Sequence, residues 1–119
     1  MEIEVKVQVE NDKEMNNCFE FDEVLNIRFY EKIGDRLYKA IIRLPECEIK
    51  FRGVTTLKKI KQRVVEARPD FYPIKSKVTF FDGTERIIYA HNDFWENEYI
   101  ERYAELNNSK VTKIERLEN

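Results

Sequence analysis

The stretch Lys77–Leu106 constrains the fold more than any other part of the chain, because strand, turn, strand and helix follow one another with a local cause for each. Residues 78–81 are β-branched and aromatic, and 86–90 are strand-like again. Between them, Asp82-Gly83 supplies two residues that tolerate positive φ, as a two-residue type I′ turn requires. Such a turn sets Val78 opposite Ile87, Lys77 opposite Ile88 and Ser76 opposite Tyr89. One hairpin face is then largely apolar, which specifies the register. Asp93 and Glu96 read as an acidic capping box, both charges suiting a helix N-terminus. At about 100° per residue, Trp95, Tyr99, Tyr103 and Leu106 fall within an arc of roughly 80°, widened by Ile100. This puts the stripe in the core, Trp95 and Leu106 first, with polar tips that would let Tyr99 and Tyr103 line its rim, and Glu96, Glu98, Glu101 and Glu105 on the outer face.

The rest of the chain adds strands and one more helix. Residues 2–10 alternate cleanly, with Ile3, Val5, Val7 and Val9 on one side, as a half-buried strand does. Alternation resumes over 18–30, through Phe19, Phe21, Leu25, Ile27 and Phe29, with a bend near Asp22-Glu23. Residues 32–35 then close a hairpin loop with Gly34 at the permissive position. The facing strand carries Tyr38, Ala40, Ile42 and Leu44, which sets Phe29 opposite Tyr38, Ile27 opposite Ala40 and Leu25 opposite Ile42. Pro45 breaks the ladder, and the apolar parity shifts to Cys47, Ile49 and Phe51 on a bulged or edge strand. Residues 55–68 form a helix with Leu57, Ile60, Val64 and Ala67 inward, capped by Thr55 or Thr56 and ended before Pro69. Residues 110–117 read as a final strand or a helical turn, their periodicity fitting both, and the strand is taken here. The order β-β-β-α-β-β-α-β predicts one α+β domain over 1–119, a mostly antiparallel sheet with both helices packed on one face.

Composition narrows the function classes. The chain has 119 residues, 37% of them charged, yet the net charge is only −2. That balance argues against a generic coat for nucleic acid. No apolar run resembles a signal peptide or approaches a membrane span, so the expectation is a cytoplasmic protein without a membrane partner. Cys18 and Cys47 form no C-x-x-C pair and fall on opposite sheet faces, which predicts no disulfide; with His91 the single histidine, no metal or cofactor is expected. Scarce Ala, Gly and Pro suit an AT-rich bacterial or phage genome.

Charge, not chemistry, carries the functional signal. Between Ile49 and Val65 lie Lys50, Arg52, Lys58, Lys59, Lys61 and Arg63, with no acid. Lys58 and Lys59 occupy the first helical turn, where the macrodipole disfavours cations and an anion would resolve the conflict. Residues 1–23 hold eight acids against two bases, and 82–105 hold seven acids against two. A charge-segregated surface suits steered protein binding. The preferred reading is a non-catalytic protein-interaction module, such as a small accessory or phage-type inhibitor protein. Its binding residues are the six cations and Glu96, Glu98, Glu101 and Glu105. Its partner is another protein, or a second copy through acidic-to-basic contact. One alternative is a nucleic-acid binder using 50–63. Another is a Mg²⁺-dependent nuclease, since Glu48-Ile49-Lys50 on a strand, with Asp35, is similar to half of a PD-(D/E)xK centre. His91 reads as a structural or helix-capping side chain rather than an acid–base group.

Overall fold

The computed structural model describes residues 1–12 and 20–118. Its elements are β1 (Glu2–Gln8), β2 (Asn26–Gly34), β3 (Leu37–Arg43), β4 (Val54–Thr55), α1 (Leu57–Ala67), a 3₁₀ turn (Pro69–Phe71), β5 (Ile74–Phe80), β6 (Glu85–Ala90), α2 (Asp93–Leu106) and β7 (Val111–Leu117). The class is α+β. The strands do not share one sheet, however. They form a four-stranded sheet, β2-β3-β1-β4, and a three-stranded sheet, β6-β5-β7. These fall into two compact units, Met1–Pro69 and Asp70–Asn119. The helices therefore do not lie together on one sheet face: α1 belongs to the first unit, and α2 packs on β5 and β6 in the second. Among the described residues, no helix is long and apolar enough to cross a membrane.

In the first unit, β1 pairs antiparallel with β3 and parallel with the short β4. Its alternation buries Val5 and Val7, and Val9 just beyond it, against the inward set Ile27, Tyr38, Ala40 and Ile42. The β2–β3 register is displaced by two from the one predicted: Ile27 faces Ile42 and Phe29 faces Ala40. A shift of two preserves the side each residue faces, so the apolar pattern could not detect it. Two irregularities, after Phe29 and after Lys32, absorb the slack, and the turn is Asp35-Arg36, with Arg36 at φ 52°. Glu31 consequently meets Lys39, at 3.7 Å.

β2 begins at Asn26, later than the alternation suggests. Asp22 Oδ1 accepts from the Val24 and Leu25 amides at 2.8 and 2.9 Å, and the Asp22 amide donates to Leu25 O. This side-chain turn competes with ladder pairing and diverts the chain. Cys18 and Phe19 lie outside the described residues. Cys47 carries a free thiol.

Thr56 caps α1, its hydroxyl accepting from the Lys59 amide at 3.2 Å. Leu57, Ile60 and Val64 are buried, each aliphatic side chain contributing about 1.5–3 kcal/mol. Ala67, predicted to be inward, is exposed.

In the second unit the β5–β6 loop has three residues, Phe81-Asp82-Gly83, with Gly83 at φ 88°. That geometry ends in a left-handed residue and adds one position to the loop. The register moves by one, setting Ser76 opposite Ile88 and Val78 opposite Arg86. Ile88 and Ala90 are therefore buried while Ile87 is exposed. Asp82 Oδ1 accepts from both the amide and the hydroxyl of Thr84, which holds its carboxyl below the usual range.

Asn92, not Asp93, caps α2, accepting from the Trp95 amide at 3.0 Å. The buried stripe is Glu96, Tyr99, Ile100 and Tyr103. Tyr99 and Tyr103 are thus fully core, while Trp95 and Leu106, expected there first, are half-buried. The Arg86 guanidinium lies 3.9 Å from the Tyr103 ring centroid, a stacking contact that the displaced register makes available.

Candidate functional site

The basic segment 50–63 forms one surface because three local devices fold it back on itself. Residues 47–52 are irregular, not a strand, since Pro45 cannot supply the amide a continued ladder needs. Gly53, at φ 65°, turns the chain into β4, which locks onto Lys6 and Val7 of β1. Thr56 then starts α1. The result is an open cleft of about 200 Å³ lined by Phe51, Arg52, Val54, Thr55, Lys59, Gln62 and Arg63.

Arg63 organises one wall. Its Nη1 donates to Lys50 O at 2.6 Å, and its guanidinium sits 4.9 Å from the Phe51 ring centroid. Lys50, Arg52, Lys58, Lys59 and Arg63 are all exposed. None of the five is ion-paired among the described residues. Several cations elsewhere are paired: Lys39 with Glu31, Lys77 with Glu85, Arg102 with Glu98, and Arg116 with Asp93 and Glu96. The first turn of α1 also has no acid, so helix N-terminus and side chains present positive potential together.

Lys61 does not belong to this face. It is 2% exposed, and its Nζ donates to Glu20 O at 2.9 Å. Burial pushes its pKa down to about 8, against the upward pull of the Glu20 and Asp22 carboxylates. Its role is to tie the turn at residues 20–25 to α1.

The acidic set is also smaller than expected. Glu96 is buried, accepting from the Ser76 hydroxyl through Oε2 and from Arg116 Nη2 at 2.8 Å through Oε1. Glu98 is half-buried and 4.0 Å from Arg102. Only Glu101 and Glu105 remain fully outward.

The nuclease constellation loses its support. Glu48 and Lys50 lie on irregular chain rather than on a strand, and Asp35 sits in the exposed β2–β3 turn with its carboxylate 3.7 Å from Arg36 Nε. His91 Nδ1 lies 2.9 Å from Phe71 O; a carbonyl can only accept, so the ring donates there and braces the segment before β5. Burial pushes the Cys47 thiol up, away from the thiolate that nucleophilic chemistry uses.

Phe51, Val54, Thr55 and Gln62 are cleft residues that sequence reasoning did not single out. Thr55 and Gln62 carried no charge to attract attention, and Phe51 read as an inward strand residue. In comparisons with known proteins, the chain matches no family model, no curated protein and no solved structure.

Proposed function

We propose that this chain is a non-catalytic interaction module that docks an acidic surface of another protein on the face formed by Lys50, Arg52, Lys58, Lys59 and Arg63. The observation that carries the reading is the clustering of charge. Five exposed cations gather in one segment with no carboxylate partner among the described residues, while Lys39, Lys77 and Arg102 each have one. Unpaired charge of one sign around a cleft speeds encounter with an opposite surface and supplies selectivity. The cytosol, where Cys47 stays reduced, is the compartment this reading assigns.

An acidic protein suits the cleft better than a nucleic acid strand. Base stacking needs an open aromatic face, and the Phe51 ring is covered on one side by Arg63. The overall charge of −2 likewise lacks the excess that drives non-specific phosphate binding.

Titration of a labelled Asp/Glu-rich peptide and a labelled single-stranded oligonucleotide into the full chain tests this. The peptide is expected to bind, to weaken as salt rises, and to lose at least about tenfold in affinity in the Lys58→Glu/Lys59→Glu variant. Tighter binding of the oligonucleotide, or peptide affinity unchanged in the variant, overturns the assignment.

A further inference from the structure

We propose that β7 pairs antiparallel with β7 of a second copy, centred on Ile114, joining two three-stranded sheets into one of six strands. Among the described residues β7 is an edge strand, paired with β5 alone. Its five central residues, Thr112–Arg116, are all exposed, and Ile114 is 52% exposed. An uncovered edge presents a row of unpaired backbone groups that templates another strand. The other edges are shorter, less regular or less exposed. β2 carries two irregularities against the single one of β7, β4 has two residues, and β6 exposes only Glu85 and Ile87.

The sequence of β7, VTKIERL, says what the edge fits. β7 is regular from Lys113 to Leu117 and bulged at Thr112. With Ile114 facing Ile114 of the second copy, Lys113 faces Glu115 and Glu115 faces Lys113 within that regular part. Opposite charges meet twice and the exposed Ile114 meets its own copy, all directly across the new strand pair. Sliding the pair by two residues in one direction sets Lys113 against its own copy; the other direction does the same for Glu115. Parallel pairing in register stacks both like charges. Neither Lys113 nor Glu115 is ion-paired among the described residues, so both remain available. The contact is isologous, as a two-fold dimer requires, and it closes. An edge contact of seven residues is small beside a permanent interface, so the equilibrium is concentration-dependent.

Sedimentation of the full chain over a concentration series tests the pairing. Wild type is expected to move from monomer to dimer as concentration rises. Lys113→Glu and Glu115→Lys, each of which sets like charges opposite one another twice, are each expected to weaken dimerisation by at least about tenfold. An equimolar mixture of the two variants restores the dimer, because the acidic strand of one then faces the basic strand of the other. A wild type that stays monomeric throughout overturns the proposal. So do single variants that dimerise as wild type does, or a mixture that does not recover.

Discussion

Glu96→Ala is expected to lower the unfolding free energy of the second unit by about 3 kcal/mol. The carboxylate is buried within the α2 stripe and holds two donors, the Ser76 hydroxyl and the Arg116 guanidinium. Truncation strands the hydroxyl of Ser76, a residue with no exposed surface, and leaves a void between α2 and β5. The loss on the Arg116 side is smaller, because that side chain is 56% exposed and water replaces the bond. Glu96→Gln keeps the shape and an acceptor for Ser76, so its expected cost is about 1 kcal/mol. Asp93, which shares Arg116 from a far more exposed position, should tolerate alanine within about 0.5 kcal/mol. Urea unfolding followed by Trp95 fluorescence measures all three. Equal effects at 93 and 96 would show that Glu96 acts only as a surface charge.

Lys61 governs a pH dependence in the first unit. Its folded pKa, about 8, lies below the ordinary 10.5, so between those values the unfolded chain binds more protons than the folded one. Stability must then rise with pH across that window, since deprotonation removes the cost of holding a buried charge. A shift of this size corresponds to about 3 kcal/mol between its two ends. The readout is a difference of differences, which cancels the titration of other groups. From pH 7 to about 10.5, wild type is expected to gain about 3 kcal/mol of stability relative to Lys61→Met. Amide exchange of α1 and far-UV circular dichroism under denaturant report it. A stability difference that stays flat with pH would mean that Lys61 remains fully charged in the fold.

Both residues were legible in the helical wheel once the charge was ignored. In α1, Leu57, Ile60, Lys61 and Val64 span an arc of about 100°, with Lys58, Lys59, Gln62 and Arg63 on the opposite side. In α2, Glu96 falls between Tyr99 and Ile100 on the buried stripe. Treating all charged residues as outward placed both on a surface to which neither belongs. The geometry of a wheel predicts burial, and a partner makes it affordable; the partners, Glu20 and Ser76, are remote in sequence and could not be read from it.

Periodicity was most informative where side mattered and least where distance along a strand mattered. It located β1, both helices and the β5–β6 hairpin, because alternation and the 3.6-residue repeat follow directly from which face is apolar. It did not distinguish hairpin registers differing by two, nor a two-residue from a three-residue loop around Asp82-Gly83. It also offered no reason to divide seven strands between two sheets. The basic segment was legible as charge. The cleft was not, because Gly53 and the irregular chain after Pro45, rather than a strand, bring Phe51 and Arg52 beside Arg63.

The most direct measurement for the proposed docking face is quantitative capture from the native host's lysate, using wild type and Lys58→Glu/Lys59→Glu as parallel baits at low and high salt. The account predicts an acidic protein retained by wild type, released by salt and lost from the variant. An identical set of proteins retained by both baits would contradict it.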